Sequence, residues 1–390
     1  MKFKRIFVLI LDSLGVGEAQ DADKYGDKGS NTLKHIMENY DLYIPNLEKL
    51  GFLNTLTLED KDEVDAYFTM AKPTNVGKDS LTGHYEIVGV KNEVAFRIFS
   101  ESGFPISLID KIEQATGKRV IGNKVCRGED IINELGDRHM NYGSLIVYTS
   151  NDSTLQVAAH EDIVPISKLH NYCEKIRKIT MDEDLKIARV IARPFNGKSG
   201  KYKFINSDRV DYSVKPPTKS ILNSLEEKDL SVISIGKIAS IFDGEGITKV
   251  IKGSKNNIDT INKLTDIMEK NFTGLCLTNL NDFDSLYGHY RDVEGYGRAI
   301  EELDVEIPMI LNKLNNNDLL IITADHGNDP TFAGSAHTRE NVPVIIYGRN
   351  FKEPKKLEPF ESMADIGATI AENFEIEPPI IGKSFLDQLK

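Results

Sequence analysis

Tryptophan is absent from the 390 residues, and cysteine occurs three times, at Cys126, Cys173 and Cys276, with no C-x-x-C pair. So sparse and odd a count excludes a disulfide framework and predicts reduced thiols in the cytoplasm. No stretch approaches the roughly 18 apolar residues of a membrane span. The apolar run after Lys2, Lys4 and Arg5 stops at Asp12, too short for a secretory signal but right for a buried strand. A Walker A motif is missing, and Gly15-Val-Gly17 lacks the third glycine of a dinucleotide-binding turn. Positive charge is also scarce. Lysine and arginine number 48 against 60 acidic residues, a net charge of −12, and they form no cluster, so neither nucleic acid nor a membrane surface is an expected partner.

What remains is the balance of a folded globular protein, 40% hydrophobic and 28% charged, long enough for about two or three domains. Short apolar runs alternate with longer amphipathic ones, which predicts an α/β sheet with crossover helices. Strands are expected at 6–11, 144–149, 231–235, 274–279, 318–323 and 343–347. Helices are expected at 32–39, 106–116, 165–179, 259–271, 293–314 and 362–374. There is no internal repeat. The middle of the chain reads differently, with Gly-Lys-rich turns at 196–201, a Gly103-Phe-Pro105 turn and the pair Pro216-Pro217. It predicts an inserted domain over 97–216, with 1–96 and 217–390 sharing one core sheet.

Polar residues follow the apolar strands in a telling way. Asp12 ends the first strand; Asp284 and His289 follow the fourth; Asp325 and His326 follow the fifth, with His337 eleven residues on. Ligands of open α/β sheets bind beyond the carboxyl ends of strands. Taken singly, each aspartate is an ordinary helix cap or turn residue. Together, three carboxylates and three imidazoles at one sheet edge suit one or two divalent ions of the Mn or Zn kind, because Mg or Ca sites use oxygen ligands throughout.

Such a site needs a nucleophile, and Gly77-Lys-Asp-Ser80-Leu-Thr82-Gly-His84 offers two hydroxyls in a Gly-bounded turn. The same residues also read as a helix start capped by Asp79 or Ser80, and a helix N-terminus favours an incoming phosphate.

These stretches resemble the bacterial phosphopentomutases of the alkaline phosphatase superfamily. The matching segments are Val8-Leu-Ile-Leu-Asp12-Ser-Leu-Gly-Val-Gly-Glu18, the Gly77–His84 turn, Gly236-Lys237, Asp282-Phe-Asp284-Ser-Leu-Tyr-Gly-His289, Thr323-Ala-Asp325-His326-Gly-Asn-Asp329 and His337-Thr-Arg-Glu340. The middle adds Tyr148-Thr-Ser150-Asn-Asp152, Ala158-Ala-His-Glu161 and Arg189-Val-Ile-Ala-Arg193-Pro-Phe195. The resemblance covers nearly the whole chain. It implies an alkaline-phosphatase-like core sheet sandwiched by helices, with a smaller α/β cap inserted.

By that resemblance Ser80 is the nucleophile, with Thr82 as second choice, although the family carries threonine at the Ser80 position. Two Mn²⁺ per chain would be held by Asp12, Asp325 and His326 and by Asp284, His289 and His337. Asp152 would meet sugar hydroxyls and Ser150 would also bind substrate, with Arg193 and Lys237 on the phosphate remote from the metals and Arg189 and Arg209 as further candidates. The segment Val125-Cys-Arg-Gly-Glu-Asp130 departs from the hydroxyl-rich stretch of the family, as Tyr85 departs from its tryptophan. The implied reaction interconverts ribose 1-phosphate and ribose 5-phosphate, primed by a sugar bisphosphate such as glucose 1,6-bisphosphate, in the cytoplasm. A phosphatase, a phosphoglycerate mutase on the same core and a non-catalytic phosphosugar binder are the alternatives.

Overall fold

A computed structural model describes residues 1–59, 63–99, 102–150, 152–181 and 185–390. The chain forms two compact units, one of residues 1–94 with 216–390, the other of residues 95–215.

The first unit is built on a seven-stranded sheet. Its strands are β1 (Arg5–Leu11), β2 (Tyr67–Ala71), β9 (Ser231–Ile235), β10 (Lys249–Ile251), β11 (Gly274–Leu280), β12 (Asp318–Thr323) and β13 (Val342–Tyr347), in the order β10-β9-β11-β1-β12-β13-β2. From β10 to β12 the strands are parallel; β13 runs antiparallel to both its neighbours, β12 and β2. Every residue of β1, β11 and β12 is buried, as strands covered on both faces require. One set of helices (Thr32–Asn39, Pro45–Lys49, Asn257–Met268, Val293–Lys313) packs together, and a second set (Ser80–Ile87, Ile221–Glu227, Ile238–Ile241, Ala364–Phe374) does likewise.

Register decides where the chemistry goes. Leu11 of β1 pairs with Leu280 of β11, and Ile10 pairs with Thr323 of β12. Three adjacent parallel strands therefore end level, and the loops after them open on one edge. At the opposite end of the same strands, Arg5 donates from Nε to Asp318 Oδ1 at 2.8 Å in a buried, forked ion pair.

The second unit carries β3 (Val120–Val125), β4 (Leu145–Thr149), β5 (Thr154–His160), β6 (Arg189–Asn196), β7 (Lys203–Phe204) and β8 (Val210–Ser213). The order is β3-β4-β5-β6-β7, with β8 also paired to β6. On one face Leu145, Val147, Val157 and Val190 share a core with residues of the helices Ile106–Thr116 and Ile166–Ile179. On the other, Ile146, Tyr148, Ala158 and Phe195 share a smaller core with the single helix Gly128–Tyr142. Among the described residues no helix is long and apolar enough to cross a membrane.

Candidate metal centre and nucleophile

Asp12 stands immediately after β1, wholly buried. Its Oδ2 accepts from Asn279 Nδ2 at 2.9 Å and lies 2.5 Å from Lys237 Nζ, while Oδ1 has no hydrogen-bond partner. Asp325, beyond β12, repeats the arrangement. Its Oδ1 accepts from the backbone N–H of Ser13 at 3.1 Å, and its buried Oδ2 accepts no hydrogen bond. Ser13 holds a left-handed backbone (φ 78°), the kind of strain that persists where surrounding structure over-determines it. Asp284 lies in a π-helical turn, Phe283–Gly288, with Oδ1 accepting from Asn328 Nδ2 at 2.8 Å.

The histidines are presented alike. His326 Nδ1 faces Gly327 O at 3.0 Å, His289 Nδ1 faces Ser335 O at 2.7 Å and His337 Nδ1 faces Lys78 O at 2.9 Å. Each ring is thus fixed through one nitrogen, leaving Nε2 for the site. A pair of backbone hydrogen bonds between Gly327 and Thr338 folds the loop back and stacks His337 on His326 with ring centres 3.9 Å apart.

Two ligand groups result. Asp12, Asp325 and His326 bring ligand atoms within 4.8 Å of one another, and so do Asp284, His326 and His337. His289 Nε2 joins the second group at 3.1 Å from Asp284 Oδ2 and 3.3 Å from His337 Nε2. Buried carboxylate oxygens without donors, facing imidazole nitrogens anchored from behind, are what a divalent cation would satisfy. The donor set fits one or two metals of the Mn or Zn kind.

The electrostatics agree. Burial, then the charge of Asp325, pushes the Asp12 carboxyl up to about 6 against the pull of Lys237. Burial works against ionisation of Asp325 too, but His326, His84 and Lys237 outweigh it and hold that carboxyl well below its usual range. For His326 burial is outweighed by Asp325 and the other carboxylates, which raise it to about 9. His337 is lowered to about 4 by burial, then by His326. Packed acids and imidazoles pushed apart in this way are typical of functional sites.

Ser80 opens the helix Ser80–Ile87, whose N-cap is Asp79 accepting from Thr82 N at 3.1 Å. Its Oγ lies 3.1 Å from His326 Nε2 and 2.8 Å from Lys237 Nζ. Thr82 Oγ1 instead donates to Asp79 at 2.6 Å, completing the cap. A Cβ at Gly83 would sit 1.9 Å from the carbonyl oxygen of Asp325, so only glycine lets this helix pack so closely against the Asp325 backbone. Lys237, expected on a remote phosphate, has its ammonium between Asp12 and Ser80.

In the second unit Ser150, Asp152, Arg189, Arg193 and Arg209 line one polar strip. Ser150 Oγ donates to Asp152 Oδ1 at 2.6 Å, and Arg189 reaches Asp152 at 3.1 Å and Asp211 at 3.4 Å. Arg209 forks onto Asp211, the surface-cation arrangement. Arg193 donates to Gln156 at 3.2 Å, and its guanidinium carbon lies 4.0 Å from the centre of the Phe204 ring. The sequence reading gave no role to Gln156 and Asp211, nor to Asn279, Asn328 and His84 beside the two ligand groups. Their one signal was a polar residue within an apolar strand or a metal-binding motif.

Among solved structures, a Pyrococcus horikoshii protein is similar at 15% identity and TM-score 0.49, covering 96% of this chain and 98% of its own. A Leishmania mexicana phosphoglycerate mutase gives 12%, 0.48, 98% and 97%. A protein in the alkaline phosphatase superfamily from Vibrio parahaemolyticus gives 12%, 0.45, 99% and 70%. A family model for the metalloenzyme superfamily matches residues 4–378, from the start of β1 past the last metal-site histidine. With ligand groups of the metal-binding type inside that span, the chain belongs to the metalloenzyme superfamily.

Proposed function

We propose that this chain is a phosphopentomutase, interconverting ribose 1-phosphate and ribose 5-phosphate, and the 2-deoxyribose pair, through phosphoserine at Ser80. The observation that carries the reading is the Ser80 hydroxyl, 4% exposed, at a helix N-terminus between Lys237 and His326 and beside the metal-type ligand groups. A shielded hydroxyl favours transfer between sugars over loss of phosphate to water. The motif resemblance supplies the pentose.

Asp12, Asp325 and His326 would hold one ion, Asp284, His289 and His337 the other, as Mn²⁺. When bound, these ions supply Lewis-acid charge to the phosphoryl oxygens during in-line displacement. Phosphoserine gives its phosphoryl group to O1 of ribose 5-phosphate; the O–P bond to Ser80 breaks as the new one forms, and the hydroxyl proton passes to the seryl oxygen. The Lys237 ammonium, donating to Ser80 Oγ, stabilises that oxygen as it leaves. Ser80 then attacks the 5-phosphoryl group of the 1,5-bisphosphate, its proton returns to O5, and ribose 1-phosphate departs with no net phosphate consumed. Ser150 and Asp152 are assigned to sugar hydroxyls, with Arg193, and secondarily Arg189 and Arg209, on the remote phosphate. Glucose 1,6-bisphosphate is the proposed priming donor.

The test is phosphorus NMR of the purified protein with ribose 5-phosphate, Mn²⁺ and a trace of glucose 1,6-bisphosphate. Ribose 1-phosphate without free phosphate supports the mutase. Free phosphate as the main product replaces it with a phosphatase, and unchanged spectra overturn both.

A further inference from the structure

His84 lies one helical turn beyond Ser80, 1% exposed, and belongs to neither ligand group. Its Nδ1 is 2.7 Å from the backbone oxygen of Ser80 and 3.2 Å from Asp325 Oδ2. Its Nε2 is 3.1 Å from Asn279 Oδ1. Asn279 has one orientation available, since its Nδ2 donates to Asp12 Oδ2. A run of buried close contacts therefore leads from the Ser80 turn through His84 and Asn279 to Asp12, with Asp325 Oδ2 beside the imidazole. It joins the nucleophile helix to the ends of β1, β11 and β12.

The other ligand group has its own support. Arg291 Nη1 donates to Asn328 Oδ1, and Asn328 Nδ2 donates to Asp284 Oδ1. No described hydrogen bond links the two asparagines.

We infer that His84 and Asn279 are positioning residues for the Asp12–Asp325–His326 metal site alone, while Arg291 and Asn328 serve the Asp284 site, so that the two affinities are set separately. The physical reason is orientational. Asp12 turns Oδ1 to the site while Asn279 and Lys237 hold Oδ2, and His84 at the other end of the Asn279 amide steadies that hold. Loss of either partner leaves Oδ2 to Lys237 alone and loosens the carboxylate, and such outer partners are typically worth about 10–100-fold in metal affinity. Because His84 also contacts the Ser80 backbone, this support ties the Asp12–Asp325–His326 site to the nucleophile helix. The inference rests on reading Asp12 and Asp325 as metal ligands.

The experiment is a titration of the full, metal-free chain with Mn²⁺, followed by calorimetry and by the electron paramagnetic resonance of free Mn²⁺. Two sites are expected in the wild type. Asn279→Ala and His84→Phe should each weaken one site about 10–100-fold, leave the other within about twofold, and combine to no more than either alone. Asn328→Ala should weaken the other site instead. Thermal melting in EDTA monitors folding of every variant; Asn279→Ala keeps the test open if His84→Phe does not fold. Equal weakening of both sites, or no change in either with two ions still bound, overturns the relay and leaves the metal reading standing. No Mn²⁺ bound by the wild type overturns the metal reading and the relay with it.

Discussion

Ser80 and Thr82 stand two residues apart on one helix, yet only Ser80 reaches a metal-type ligand group. Thr82 spends its hydroxyl on Asp79, where it completes the cap. Ser80→Ala should lower phosphoryl transfer by about 10⁴-fold or more, as removal of a nucleophile does elsewhere. Calorimetric Mn²⁺ affinity should stay within severalfold; turnover retained in this variant would move the nucleophile off Ser80. Gly83 makes a different prediction on the same turn. Replacing it by alanine drives a Cβ into the Asp325 carbonyl, and backbone oxygen has nowhere cheap to go. Gly83→Ala should cost about 1–3 kcal/mol in urea unfolding by overpacking and also weaken metal binding. Unchanged Mn²⁺ affinity would show that the helix can move away without disturbing Asp325.

At the scale of elements, the core strands were legible because β1, β9, β11 and β12 are apolar on both faces and short, and their polar ends stood out. Helices such as Thr32–Asn39 and Ile106–Thr116 were legible by periodicity. The insert was harder. β5 and β6 carry Gln156, Arg189 and Arg193 among their apolar residues, so no long apolar run marks them. The helix Gly128–Tyr142 holds an interior glycine that weakens helix propensity; Gly136 is there because Tyr202 packs where its Cβ would be. The carboxylates and imidazoles of the two candidate ligand groups were legible as a constellation, but the residues behind them were not, since an asparagine at the end of a strand announces nothing until its neighbours are placed. One element-scale prediction follows from Arg5 and Asp318, which lie at the sheet end opposite Asp12 and Asp325. Asp318→Ala strands a buried guanidinium and should destabilise the fold by about 3–5 kcal/mol in urea unfolding. The double replacement Arg5→Met with Asp318→Leu should recover most of that, and failure to recover would mean the pair does more than neutralise itself.

On the scale of the whole molecule, the second compact unit carries a buried imidazole of its own that answers to acid. In the second unit His139 is buried with Nδ1 2.5 Å from Ser144 O, while Nε2 accepts from the backbone N–H of His160 at 2.8 Å. Burial lowers this imidazole below its ordinary value near 6.5, and a proton on Nε2 would break the bond from His160. The direction follows from linkage. Above pH 6.5 neither folded nor unfolded chain protonates His139, so its contribution is fully present. Below that value the unfolded chain takes up the proton first, and stability falls by up to about 1.4 kcal/mol per pH unit until the depressed folded value is reached. His139→Gln removes the titration while keeping a donor and an acceptor. Hydrogen-exchange pulse labelling along a urea series, read on peptides from residues 139–160, should show the wild-type midpoint dropping more between pH 7.5 and 5.5 than that of the variant. Equal drops would assign the acid sensitivity of this unit to other groups, and the buried His139 would then be a packing residue whose proton never matters to the fold.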